Sequence, residues 1–255
     1  MPIRTTQFDV RTYAARDEAG AEGAAIAAEV IRGKIRQDGQ AAVVFASAVS
    51  QDPFLAALRR QEIDWPRVTA FHLDEYAGMS ESHPASFRRF LQERLLNHVP
   101  VAAFHGLNAE ALDLDAECDH YASLLRAAQP CLLVMGIGEN GHLAFIDPPV
   151  CRFDEPRDVR TVDLDDVCRM QQVHDGAFAR LEDVPKRALS LTVPYFLRLP
   201  RALVFVNGER KSDAVRAAVE GPIAEACPAS ALRRHPSATL FLDPGAASML
   251  GARWR

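Results

Sequence analysis

The sequence predicts an α/β fold: a single domain (residues 1–255) with a mostly parallel sheet and helices on both faces. Three observations point there. Short apolar runs alternate with helical patterns along all 255 residues, which is how βαβ units read. Most of those runs are continuously apolar, as strands covered by helices on both faces should be. Several end in glycine or polar residues, and open α/β sheets place their ligands at strand ends.

The elements follow in order. Residues 18–37 are Ala-rich and carry Ile26, Val30 and Ile31 at helical spacing. Strand 42–47 leads through a small polar loop into helix 52–60, which opens with Pro53 at a first-turn position. Strand 68–73 is followed by helix 86–97, then helix 115–128 and strand 131–136. Residues 147–160 are rich in Pro, Asp, Glu and Arg. They read as an irregular excursion over the sheet edge, with a mobile lid as one reading. Strands 160–164, 188–193 and 202–206, helix 209–219, strand 238–242 and a short helix 246–250 complete the chain. No composition break marks a domain boundary.

Composition narrows the class. Hydrophobic residues are 48% and charged residues 25%, a globular balance, and the net charge is −5. No global positive field draws the chain to nucleic acid or an anionic membrane. No apolar run reaches the ~18 residues of a membrane span. The N-terminus lacks the apolar core of a signal peptide. The five cysteines (118, 131, 151, 168 and 227) are odd in number, scattered and without a CxxC pair. That argues for reduced thiols in a cytoplasm, not a disulfide framework or a zinc site. Cys131, in an apolar run, reads as a core residue.

Four strand ends carry chemistry. Gly136-Ile137-Gly138-Glu139-Asn140-Gly141-His142 continues through Leu143-Ala144-Phe145-Ile146-Asp147-Pro148-Pro149. Its glycines permit a sharp turn and close approach to a ligand, and it delivers a histidine and a carboxylate to one place. The bland alternative is a Gly-rich turn with a surface histidine. Phe71-His72-Leu73-Asp74-Glu75-Tyr76 ends a strand in two acids. Successive strand residues point opposite ways, so Asp74 and Glu75 are not expected to share a site, and a cap for the next helix competes with a catalytic role. Ser47-Ala48-Val49-Ser50-Gln51-Asp52-Pro53 opens a helix. It suits a phosphate and equally an ordinary cap. Lys211, in the first turn after Asn207-Gly208, works against the helix dipole unless an anion sits there; a solvated lysine is the other reading.

Together these runs resemble the glucosamine-6-phosphate deaminase (isomerase) family, whose fold the 6-phosphogluconolactonases share. The resemblance spans nearly the whole chain. It is carried by Phe71–Tyr76, Gly136–Pro148, Val184-Pro185-Lys186-Arg187-Ala188-Leu189, Ala217-Ala218-Val219-Glu220-Gly221 and Arg234-His235-Pro236-Ser237-Ala238. Leu143–Pro148 reads on the deaminase side, where lactonases have a Thr-Ala-Ser-Leu-Phe-Pro type of sequence.

The resemblance implies roles residue by residue. Asp74 matches the enolisation base, which carries the C2 proton to C1. His142 matches the ring-opening acid/base, with Asn140 and Asp147 as its polar partners. Ser50 and Gln51 fall in the phosphate loop. Lys211 and Arg169 match phosphate-binding cations. The implied activity converts glucosamine 6-phosphate and water to fructose 6-phosphate and ammonia. The implied partner is a small-molecule sugar phosphate. No nucleic acid or membrane partner is implied, and a homo-oligomer is left open because members differ in assembly. No cofactor and no metal are expected, since no His/Cys cluster is foreseen to house one.

Three departures carry consequences. Asp147 stands where members commonly have Glu, so its carboxylate must come closer or act through water. Asn140 stands where some members have Asp. The phosphate loop lacks the family's two glycines, and Asp52 repels a phosphate unless it points away. The alternatives are a sister enzyme (galactosamine-6-phosphate deaminase or 6-phosphogluconolactonase) and a sugar-phosphate-binding sensor without turnover.

Overall fold

The computed structural model describes residues 7–254; of Gln7, only the backbone is described. Residues 1–6, most of the stretch searched above for a leader, and Arg255 lie outside the described residues. In chain order the elements are β1 (Gln7–Thr12), α1 (Arg16–Asp38), β2 (Ala41–Phe45), α2 (Asp52–Leu58), β3 (Val68–His72) and β4 (Asp74–Tyr76). Then come α3 (Phe87–Arg94), β5 (Ala103–His105), α4 (Leu114–Ala128), β6 (Leu132–Met135), β7 (Val159–Asp163) and α5 (Asp166–His174). The last are β8 (Arg187–Leu191), α6 (Val193–Arg198), β9 (Ala202–Val206), α7 (Ser212–Glu220) and β10 (Ser237–Leu242).

Seven strands form one sheet in the order β1-β10-β9-β6-β2-β3-β5. Every neighbouring pair is parallel. Strand β2 shows why these segments read as continuous apolar runs. Val43 and Phe45 pack into the core under α1 and α2, with Ala27, Ile31 and Leu55. Val44, between them, faces the opposite core, with Tyr121 and Leu125 of α4 and Val215 of α7. Both faces are dry, so neither has a polar alternate. Full burial of each such side chain stabilises by about 1.5–3 kcal/mol, which makes the sheet a stiff platform for its strand ends.

A second sheet has three strands in the order β4-β8-β7, all antiparallel. Leu73 joins the two sheets. Its N–H donates to Phe45 O at 3.2 Å and its carbonyl accepts from Leu191 N at 2.9 Å. Asp74 is the next residue, paired with Ser190 across β4 and β8.

Several expectations are corrected. Strands 160–164 and 188–193 belong to the small antiparallel sheet, not the parallel one. The segment 246–250 is a series of turns rather than a helix, held where Ala246 N donates to Asp243 Oδ1. The 147–160 excursion is not a lid. Cys151 is buried, the Phe153 N–H is bonded to Glu225, and Arg157 is paired with Asp115 and Asp119 of α4. Among the described residues, none of 147–160 lines the cavity at the carboxyl ends of the parallel strands. The sequence reading omitted β1, β4, β5, α5 and α6. In β1, Phe8 and Val10 alternate with polar residues, and that half-exposed edge pattern differs from the buried runs. Among the described residues no helix is long and apolar enough to cross a membrane.

Candidate active site

A cavity of about 490 Å³ lies at the carboxyl ends of the parallel strands. Its walls include Ser47–Ser50 after β2, Asp74 after β3, Gly136, Gly138 and His142 after β6, Asn207 and Lys211 after β9, and the end of α5.

The loop after β6 is built around His142. Gly138 N donates to His142 O at 3.0 Å, and Gly141 N to Gly138 O at 3.0 Å. A Cβ on Gly138 would meet the His142 ring at 2.2 Å, so only glycine lets the ring lie against the chain here. His142 N donates to Asn140 Oδ1 at 3.0 Å. Asn140 Nδ2 donates to Asp147 Oδ1 and to Asp165 Oδ2. Asp165 N donates in turn to Asp147 Oδ2 at 3.2 Å. Asp147 is fully buried. Burial alone would raise its pKa, but the bond and charge of His142, then Asn140 and the Asp165 N–H, more than offset this and hold it below the ordinary value. His142 Nδ1 lies 3.0 Å from Asp147 Oδ1. The shorter aspartate arm therefore reaches the ring directly, without a bridging water. The approach is off the ring's N–H direction, and Nδ1 lacks a well-aligned hydrogen bond.

The two acids after β3 part company. Glu75 turns inward and caps α3, accepting from Phe87 N, Arg88 N and the Ser86 hydroxyl. Arg88 Nε, itself buried, completes the cap at 3.3 Å. Asp74 lines the cavity and is 7% exposed. Its carboxylate makes no hydrogen bond among the described residues. Burial first, and then the charge of Glu75, push its pKa well above 3.8. His72 is a core residue: its Nε2 accepts from Leu107 N at 2.8 Å, and burial lowers its pKa to about 3.

Of the expected phosphate ligands, Ser50 and Lys211 line the cavity. The Lys211 ammonium has no partner; burial lowers its pKa, with Asp175 and Glu139 opposing. Gln51 and Arg169 do not line it. Gln51 is buried, its Nε2 bonded to Met135 O and Ser50 Oγ. Arg169 is buried with its guanidinium turned to Leu181 O, Val184 O and Asp166. It secures the turn before β8 rather than facing the cavity.

Several lining residues were not singled out as site residues, among them Arg16, Arg94 and Ser47, the last lying in the quoted loop. The Ser47 hydroxyl is buried without a partner. Arg16 reaches the rim beside Asp243. Arg94 lines the cavity, with its Nε on Asp52 Oδ1 at 3.0 Å and its guanidinium over Phe90. It thereby neutralises the carboxylate that the sequence placed in the loop. Nothing in the sequence links the last turn of α3 to the start of α2.

The fold also overturns the expectation of no His/Cys cluster. His142, Asp147 and Cys168 of α5 bring their donor atoms within 4.8 Å of one another.

Comparison with known proteins decides the family. A family model described as glucosamine-6-phosphate isomerases/6-phosphogluconolactonase matches residues 14–241. The chain belongs to this family. Proteins named glucosamine-6-phosphate deaminase from Bacillus thuringiensis (strain Al Hakam) and Bacillus cereus (strain B4264) are each 34% identical over 194 residues, covering 76% of this chain and 72% of theirs. A solved monomeric glucosamine-6-phosphate deaminase superposes with a TM-score of 0.87 at 29% identity, over 94% of this chain and 99% of that one. The 6-phosphogluconolactonase of Thermotoga maritima gives 0.75 at 17% identity, over 93% and 100%, a likeness of fold alone. The chain is therefore an enzyme of amino-sugar metabolism by family.

Proposed function

We propose that this protein deaminates glucosamine 6-phosphate, giving fructose 6-phosphate and ammonia. One observation carries the reading: Asp74 and His142, the latter backed by buried Asp147, open on the same cavity as the unpartnered Ser47 hydroxyl and Lys211 ammonium. That combination suits a ligand with a reacting end and an anionic end.

In this reading His142 takes the proton of the C1 hydroxyl and returns one to the ring oxygen, opening the sugar. Asp147 steadies the imidazolium that forms. Asp74 then removes the C2 proton from the open-chain aldehyde while the substrate's ammonium gives a proton to O1, leaving a neutral enolamine. The same carboxyl returns the proton to C1, giving an imine at C2, and water hydrolyses it to the ketose and ammonia. Asp74 must be ionised to begin. The substrate's cationic amine, entering beside it, offsets the burial that raises its pKa. Ser47, Ser50, Lys211 and Arg94 would hold the phosphate, the arginine by its forked donors. The five free thiols suit a reducing, cytoplasmic setting.

The test is ammonia release from a panel of glucosamine 6-phosphate, galactosamine 6-phosphate and unphosphorylated glucosamine, with 6-phosphogluconolactone hydrolysis assayed alongside. Ammonia from glucosamine 6-phosphate is expected. Turnover of another member alone, or tight binding without turnover, would overturn the reading.

A further inference from the structure

We propose that His142, Asp147 and Cys168 form a binding site for a zinc-class divalent cation, and that occupancy silences His142. The three residues are buried, with donor atoms within 4.8 Å of one another. Tetrahedral zinc, at about 2.0 Å from nitrogen or oxygen and about 2.3 Å from sulfur, sets its ligand atoms roughly 3.3–3.5 Å apart. His142 Nδ1 and Asp147 Oδ1 are already at 3.0 Å, so modest side-chain rotation closes the rest.

The chemistry of the donors selects the ion. A thiolate, an imidazole and a carboxylate suit zinc and its neighbours, and disfavour magnesium or calcium. Nδ1 has no aligned partner to lose. The outer shell is in place, since Asn140 and the Asp165 N–H hold both oxygens of Asp147. Of the three ligands only His142 lines the cavity, so a fourth ligand would be a water reaching the ion past its ring. One thiolate and one carboxylate balance the double charge of the cation.

Binding is a proton exchange. The cation takes the Nδ1 lone pair, and the Nδ1 proton passes to Nε2. The Cys168 thiol gives its proton to solvent, while Asp147 enters ionised. One proton leaves per cation bound. With hydrogen on Nε2 and metal on Nδ1, the ring keeps no lone pair and cannot accept a proton from any substrate.

The test needs no substrate. Metal-free full-length protein is titrated with cobalt(II), followed by zinc. A sulfur-to-cobalt absorption band at one ion per chain is expected, lost on zinc addition, with one proton released per zinc bound. In Cys168→Ser the band should vanish and zinc binding weaken roughly 100-fold, at the upper end of what losing a mere supporting partner costs. Cys227→Ser, at the thiol beside Gly141, should retain both. Circular dichroism confirms that each variant is folded. No sulfur band in the unmodified protein, or a band that survives in folded Cys168→Ser, overturns the proposal whatever the substrate proves to be.

Discussion

Asp74→Asn separates chemistry from stability at one position. The carboxylate lies on the cavity wall, buried and without a hydrogen bond. Its role in the proposed reaction is to carry one proton, which an amide cannot do. The loss expected for a positioned acid/base is about 10²–10⁴ in kcat. The fold should gain. A group whose pKa is raised in the folded state adds stability that is complete below its unfolded value and is lost as pH rises through the folded one. At pH 4 and below, parent and variant should therefore melt together. Toward neutral pH the parent carries a disfavoured buried carboxylate, and the variant should lead by about 0.5–2 kcal/mol. For a chain of this size that is roughly 1–8 °C in Tm. The assays are ammonia release, and thermal melting from pH 4 to 8. Full turnover in Asp74→Asn would refute the assignment of the base. Equal melting at every pH would refute the argument from burial.

Asp147→Asn should lower kcat by about 10²–10⁴ through loss of the His142 partner. Because its pKa is depressed, its contribution to stability exists above the ordinary carboxylate value and fades as pH falls through the folded one, so the variant's deficit in Tm should shrink in acid. Arg94→Ala and Lys211→Ala should each raise KM for a sugar phosphate roughly 10–100-fold, the worth of one charged hydrogen bond, with kcat largely kept. Adding Asp52→Asn to Arg94→Ala should recover part of that loss, because the unpaired carboxylate is removed; initial rates over a substrate series measure both. Gly138→Ala should displace the His142 ring, costing about 1–3 kcal/mol in a denaturant melt and most of the activity.

The buried strands and the loop after β6 were legible because each is a local signal: an apolar run, glycines, one histidine. Asp74 was legible as a strand-end acid, and alternation separated it from Glu75, which the structure makes a helix cap. What escaped depends on distance in sequence. Arg94 meets Asp52 across 42 residues, and Cys168 meets His142 only because α5 crosses behind the loop. Arg169 was given a phosphate role by the family resemblance, yet its buried guanidinium is turned to the carbonyls of Leu181 and Val184, which the turn at 181–184 presents. Helix α5 itself was missed because its nine residues, DVCRMQQVH, are too few to show more than about two turns of pattern.

The junction at Leu73 bears on how a single carboxylate can serve two carbons. Its peptide is bonded to both sheets, so the chain entering Asp74 is clamped on either side. The side chain beyond that clamp is untied. In the proposed reaction, proton delivery to a neighbouring carbon would need only a turn about the Cα–Cβ and Cβ–Cγ bonds, a side-chain motion rather than a loop rearrangement. The proposed step would then ask for movement of one side chain and leave the backbone at rest.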